Sequence, residues 1–444
     1  MNKQRLGYIS MTLSLALSLA FLAFLAGFAT YHFRTFPYSL LEEAYKQGVV
    51  LMQVAGLSKP HLVPAVYDTA GAETLQPEAV QPGLTLLTSY WQDLGWHAGL
   101  KLITQDGTAV HSWTTDVAKI WPSGPDRRLI QSYVHGAYLF PDGDVLFNIE
   151  YVGLARMDAC GNVRWKLDYG THHSIARADN GDFWVAGNVT RSDKEYLARF
   201  PGLSSDTLYE DHVLRVSPDG EILEDINLME VVYQNGLQRY LVKISRRREG
   251  DIFHLNDVEP LPQALADQYP MFEAGDLLIS LKHMHLVFVL DPDTGKVKWH
   301  ASDAFIEQHD PDFIGDGWVG IFDNNRDGAH GRITGGSRIV ALRPHTGEFK
   351  VLFPGPDSEP FYTDIGGKWQ LLPNGNMLLL ESGAGRVLEV DSKGRTVWRW
   401  TQDKYDEKRI PEVLGADRYP YTVQQVSEWG CPQTRQVSSI LSKS

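Results

Sequence analysis

The chain of 444 residues has only two cysteines, and its 41 Lys+Arg are outnumbered by 55 Asp+Glu, giving a formal charge of −14. Two cysteines exclude a disulfide-rich scaffold and a cysteine-type zinc site, and leave material for one bridge. Basic residues never cluster beyond Arg246-Arg247-Arg248, so the electrostatic footprint of a nucleic-acid binder is missing. That short run reads as a solvated turn, with a docking site for an anionic partner or headgroup as its alternative. Long hydrophobic runs are equally scarce. The exception, Leu6–Tyr31, carries no charge and as a helix would cross ~30 Å of hydrocarbon.

A secretory signal has a shorter apolar region of about 7–15 residues. Residues 1–34 are therefore expected to form an uncleaved single-pass anchor, a cleaved signal being the alternative. Lys3 and Arg5 ahead of the run favour a cytoplasmic N-terminus, opposed only by Arg34. The rest of the chain is then expected on the extracytoplasmic, periplasmic side. Residues 35–82 read as a stalk. Tyr38–Val54 has apolar residues at helical spacing, and Ser58–Pro82 has four prolines and no period.

From residue 83 to 430 one pattern recurs. Its fullest copy, Val134–Trp165, parses as a histidine, an apolar strand, a Pro-Asp-Gly turn and three further strands. Related copies begin at His173, His254 and His309, a clean one spans Gly367–Trp400, and a truncated one, Gly83–Trp113, comes first. Six four-stranded copies of about 40 residues specify an all-β, six-bladed propeller. The first copy lacks a strand, and the alternating segment Pro420–Trp429 is the candidate to close the ring and hide the free edges. Closure would bring Cys431 to Cys160 in blade 2, where an oxidising compartment would allow a bridge. Residues 431–444 are left as a C-terminal tail.

Three of the histidines share one register. His135, His173 and His309 each precede a turn glycine (Gly143, Gly181, Gly317) by eight residues, and His254 opens its copy in the same way. The corresponding residue of the sixth copy is Gly367. The first strand of a blade lines the central channel, so four imidazoles are expected to face one small space. A lone histidine at a strand start usually serves structure. Four at one register do not follow from packing. Asn256, Lys282, His283 and Arg338 add amide donors, a further imidazole and fixed cations. Such a set suits an anion that develops charge on oxygen during transfer, with one imidazole as nucleophile and another as acid and base.

These pieces resemble the bacterial arylsulfate sulfotransferases: HHSIARADNGD at 172–182, HLNDVEPL at 254–261, GDLLISLKH at 275–283, QHDP with the following FDNN at 308–311 and 322–325, SRIVAL at 337–342 and LLPNGNMLLLESGAGRVLEVD at 371–391. The resemblance implies a six-bladed propeller that moves a sulfuryl group from an aryl sulfate ester to an acceptor hydroxyl through a sulfated histidine, independently of a nucleotide sulfate donor. It implies no cofactor and no metal. By position, His309 resembles the nucleophile. His254 and His173 resemble the residues that bind sulfuryl oxygens and exchange the phenol proton, and Asn256 the amide donor beside them. Lys282 stands where the family has an arginine, and lysine keeps the charge without the two-pronged donor. His135, Arg338 and His283 are expected to contact substrate, although the resemblance gives His135 no role. The implied partners are a small-molecule sulfate ester and its hydroxyl acceptor, the membrane, and in addition a membrane protein, with nucleic acid excluded.

Two other readings compete. One is a metal site in which histidines join Asp257 or Asp310. The other is a non-catalytic, membrane-anchored binding or scaffold module of the cell envelope. The Asp-rich turns PDGD 141–144, DPDTG 291–295 and DNNRDG 323–328 read as hairpin chemistry rather than calcium sites. Trp165, Trp299 and Trp398 read as packing between neighbouring blades.

Overall fold

The computed structural model describes residues 3–33, 35–38, 40, 44, 61–122, 133–200, 207–243 and 250–431. The chain divides into two units, residues 1–58 with 125–130, and the remainder. In the first unit the uncharged run lies within a helix, Lys3–Phe33. Its Ser14–Phe33 segment is long and apolar enough to cross a membrane, as an anchor or as a signal sequence. Most of the expected stalk helix at 38–54, the basic run at 246–248 and the tail at 432–444 lie outside the described residues.

The second unit is built from strands whose apolar residues are sandwiched from both sides. Six antiparallel sheets carry it. Blade 2 contains Val134–Leu139, Val145–Ile149, Gly153–Met157 and Val163–Leu167, and blade 3 contains Gly170–Arg177, Phe183–Arg191, Leu208–Val216 and Ile222–Asn227. Blade 4 contains Leu255–Pro260, Leu277–Leu281, Leu286–Asp291 and Lys296–Ala301, and blade 5 His309–Phe313, Val319–Asp323, Arg338–Arg343 and Glu348–Phe353. Blade 6 contains Lys368–Leu371, Met377–Glu381, Arg386–Val390 and Thr396–Thr401. Every residue of the second strands Val145–Ile149, Leu277–Leu281, Val319–Asp323 and Met377–Glu381 is buried, because each face of such a strand meets a neighbouring blade. The repeated tryptophans fill these seams: Trp165 between blades 2 and 3, Trp299 between 4 and 5, and Trp398 between 6 and 1.

The ring closes as expected in kind but not in place. The innermost strand of blade 1 is Gly415–Tyr419, paired with Leu84–Trp91 from Gly415 opposite Thr88 to Tyr419 opposite Leu84. The segment expected to do this, Pro420–Trp429, instead contains the helix Val423–Ser427, which Thr422 and Gln425 start with a reciprocal capping box. Behind it Cys431 is bonded to Cys160, with Cα atoms 5.2 Å apart and a sequence separation of 271. Residues beyond 60 that read as stalk also join the propeller. Leu62–Pro64 pairs with Arg409–Pro411, and Gly71–Thr74 forms a fifth strand outside Thr396–Thr401.

The Asp-rich turns hold themselves. Asp142 accepts the Asp144 amide, Asp291 those of Asp293 and Thr294, and Asp327 four amides of its own loop.

Candidate active site

The histidine end of each inner strand is irregular. Strand register shifts between Val134 and Ala137, His172 and Ile175, Leu255 and Asp257, and His309 and Asp312. The four blades that carry the registered histidines therefore share a bulge at the same point, and bulges re-aim side chains. His173, His254 and Asp310 sit at φ 51°, 53° and 46°, a left-handed conformation that costs of order 1–3 kcal/mol in a residue with a side chain. In blade 2 the bulge contains Gly136, where a Cβ would stand 2.0 Å from the His173 carbonyl oxygen. In blade 6 a Cβ on Gly367 would stand 2.5 Å from the Phe322 ring, so that register position has no room for a histidine.

The imidazoles do converge. His135 and His173 have ring centres 3.9 Å apart, His173 and His254 5.0 Å, and His254 and His283 4.7 Å. His309 feels the charges of Lys282, His254 and His135. Burial, then the neighbouring imidazoles, hold His173 well below the usual histidine range. Burial, then the Lys282 ammonium, do the same to His309. Burial and His254 lower His283 to about 4. These rings are neutral near pH 7, which is the nucleophilic and ligand-competent form.

His309 has a defined tautomer. Its Nδ1 lies 2.7 Å from Asn324 Oδ1 and 3.0 Å from the Glu307 carbonyl. Asn324 Nδ2 donates to the Thr363 and Gly366 carbonyls at 3.0 and 2.8 Å, which fixes the amide with its oxygen toward His309. Two acceptors face Nδ1, so Nδ1 carries the hydrogen and Nε2 carries the lone pair.

Lys282, buried, lies on the short turn Lys282–Met284 with its Nζ 4.0 Å from Glu307 Oε2. Glu307 is also paired with Arg326 at 3.1 Å. Asn256 Nδ2 donates one hydrogen to the Gln308 carbonyl at 2.7 Å, tying blade 4 to the residue before His309. Its buried Oδ1 has no hydrogen-bond partner among the described residues. His283 Nδ1 meets the Asp251 carbonyl at 3.1 Å, and His254 Nδ1 the Asp251 carboxylate at 2.7 Å. Burial works to raise that carboxyl, but the bond from His254 and the charges of His254 and His283 bring it down to about 2.

Arg338 does not join this set as expected. Its Nε and Nη2 hold Asp323 Oδ2 at 2.9 and 2.5 Å, and Nη2 also reaches the Ala304 carbonyl. Its planar donors are used to fix the start of the third strand of blade 5.

Asp257 and Asp310 also depart from expectation. Together with Glu259, Asp312, Asp417 and Lys368 they line a cavity of about 550 Å³ to which no histidine contributes. The inner strands thus present imidazoles toward one end and carboxylates toward the other, and neither aspartate stands among the metal-competent groups. Among the described residues those groups are Asp251, His254 and His283, and His135, Glu150 and His173, each with ligand atoms within 4.8 Å of one another.

Sequence reasoning gave no role to Asn324 and His172, although both stand in pieces that carry the resemblance, nor to Asp251, Glu150 and Asp211. Asp251 precedes His254 by three residues and His172 adjoins His173, so local spacing held a signal for these two alone.

No curated protein matches the sequence. Among solved structures, a protein of unknown function from Bacteroides caccae is 14% identical, covering 74% of this chain and 99% of that chain with a TM-score of 0.44. A streptogramin B lyase is 13% identical, covering 78% and 88% at 0.40. Virginiamycin B lyase from Staphylococcus aureus is 11% identical, covering 83% and 90% at 0.37. At these identities and TM-scores nothing about this chain is drawn from them. The arylsulfotransferase (ASST) family pattern matches residues 136–403, more than half of the chain and all of the four histidine blades except Val134 and His135. That domain carries a sulfotransferase-like function, and the chain belongs to the arylsulfotransferase family.

Proposed function

We propose that the imidazole cluster moves a sulfuryl group from an aryl sulfate ester to an acceptor hydroxyl through a sulfohistidine at His309, without a nucleotide sulfate donor. The observation that carries this reading is the tautomer of His309: a neutral, buried ring whose Nδ1–H is tied to Asn324 and Glu307, leaving the Nε2 lone pair for attack.

In the first step Nε2 attacks sulfur and the bond from sulfur to the aryl oxygen breaks. The departing oxygen takes the electron pair and then a proton delivered by His173. Lys282, His254 and the second Asn256 N–H hold the sulfuryl oxygens, where charge develops. In the second step the acceptor hydroxyl returns a proton to His173. Its oxygen attacks sulfur, and the nitrogen–sulfur pair goes back to His309. His135 and His283 line the same cluster and complete its wall toward the substrate.

The apolar helix and the Cys160–Cys431 bond support a propeller held to the membrane on the periplasmic side, where disulfides persist. A membrane protein partner fits that placement.

The test is steady-state kinetics with 4-nitrophenyl sulfate and a phenol acceptor in nucleotide-free buffer. Parallel lines in double-reciprocal plots are expected from the two-step exchange. Intersecting lines, or an absolute need for a nucleotide sulfate, would reject it.

A further inference from the structure

His172 is the most deeply buried imidazole of the cluster, 1% exposed, and the steps above leave it unused. In a regular strand adjacent side chains point to opposite faces, so His172 and His173 should not meet. The register shift after His172 and the left-handed backbone of His173 bring them together. Their rings stand edge to face, 5.0 Å between centres, with the two Nδ1 atoms 2.8 Å apart. Two ring nitrogens at that distance share one hydrogen, so one donates and the other accepts.

On its far side His172 Nε2 has no hydrogen bond among the described residues, and Asp211 Oδ1 lies 3.5 Å from it. Asp211 is 2% exposed and is fixed by the Leu255 amide at Oδ2 and the Asn188 amide at Oδ1. The Tyr151 ring lies 5.0 Å from His172, and the charges of Glu150 and Asp251 also reach it. Three carboxylates therefore surround His172, whereas His173 faces the imidazoles of His135, His254 and His309.

We propose that His172 and Asp211 form a buried proton relay behind His173, so that the positive charge of the acid is carried by His172 while His173 stays neutral throughout. This rests on the role given to His173 above. It removes a difficulty of that role, because burial and neighbouring imidazoles oppose charge on His173 itself.

With the charge on His172, its Nδ1–H donates to His173 Nδ1, and the hydrogen of His173 is on Nε2. As the sulfur–oxygen bond breaks, His173 Nε2–H passes to the aryl oxygen and the His172 Nδ1 proton moves to His173 Nδ1. His172 is then neutral, with its remaining hydrogen on Nε2 toward Asp211, and His173 Nε2 bears a lone pair. In the second half-reaction the acceptor hydroxyl gives its proton to that lone pair, and the Nδ1 proton returns to His172. No proton is gained or lost over the cycle. Asp211 and His172 act as positioning residues, since neither reaches the substrate.

The experiment is ring-¹⁵N NMR of the histidine-labelled full chain in detergent across roughly pH 5–9, the range in which imidazoles titrate. His172 is expected to take up the proton while His173 remains neutral, and Asp211→Asn is expected to move the His172 titration to lower pH. A cationic His173, or an unmoved His172 titration in that variant, would overturn the relay. The wild-type arm decides even if the variant misfolds. In parallel, His172→Gln is expected to lower kcat for donors with poorly acidic phenols by at least roughly tenfold more than for 4-nitrophenyl sulfate. A uniform effect across donors, with the NMR result as expected, would leave the charge on His172 standing but withdraw proton transfer by His173 from the proposed function, and the relay with it.

Discussion

Asn324 and His309 are joined by a hydrogen bond of 2.7 Å whose direction is set from outside the pair, because the Thr363 and Gly366 carbonyls claim the amide nitrogen of Asn324. A residue of blade 5's loop thereby decides which nitrogen of His309 can attack. Asn324→Ala is expected to lower kcat roughly 10- to 100-fold with little change in KM, since losing a buried hydrogen bond costs about 1–3 kcal/mol. The burst of phenol release in rapid-mixing experiments checks this. An unchanged burst rate would mean the tautomer lock is dispensable.

Lys282 has two expected effects that one substitution separates. It is placed to hold a sulfuryl oxygen, and its charge, after burial, depresses the His309 titration. Lys282→Met removes a positive neighbour, so the protonated form of His309 becomes less costly and its pKa rises. The acid limb of kcat/KM for an aryl sulfate should move to higher pH, and the plateau should fall roughly tenfold or more with the loss of a charged hydrogen bond. Lys282→Arg should keep both close to wild type. An acid limb that stays in place in the methionine variant would contradict the electrostatic link.

The carboxylate end of the channel makes a prediction about stability. Burial, then the Asp310 charge, raise Glu259 from 4.5 to about 8. The folded protein thus holds a proton that the unfolded chain releases, and this stabilising contribution is present below pH 4.5 and lost as pH rises through about 8. Glu259→Gln removes that loss. Its Tm should exceed that of wild type by an amount that grows from pH 4.5 to about 8, levels off above, and reaches a few degrees. Melting curves that differ by a constant amount over this range would show that Glu259 does not titrate there.

The Cys160–Cys431 bond ties the last turn of blade 2 to the segment behind the closing strand, where Trp429 packs on His111 and Trp113 of blade 1. Cys431→Ser is expected to cost about 2–5 kcal/mol, read as a lower Tm in thermal melts. Wild type in reductant should fall to the same value. Identical melts of oxidised wild type and variant would show that the bond adds nothing to ring closure.

The features legible in the sequence were those that repeat. Strand alternation, turn glycines and the histidine register recur from blade to blade, so the propeller and the meeting of His135, His173, His254 and His309 could be read directly. What could not be read occurs once. Asn324 looked like part of an Asp-rich turn, because the hydrogen bonds that fix it come from Thr363 and Gly366 in a distant segment. His172 was hidden by strand alternation, which a bulge overrides. Asp257 and Asp310 seemed near the histidines in sequence, yet they line the carboxylate cavity instead. Arg338 looked available because its partner Asp323 sits across a strand pair, a contact that sequence spacing does not express. The closing strand was misplaced because Pro420–Trp429 alternates well, whereas Gly415–Tyr419 is too short to show a period.

The central claim is that His309 becomes covalently sulfated. Intact-mass and peptide-mapping analysis of the protein after incubation with 4-nitrophenyl sulfate, without acceptor, tests it most directly. The account predicts a gain of about 80 Da that maps to His309, appears with one equivalent of phenol and disappears when a hydroxyl acceptor is added. Release of phenol with no adduct, or an adduct on another residue that persists in His309→Ala, would contradict it.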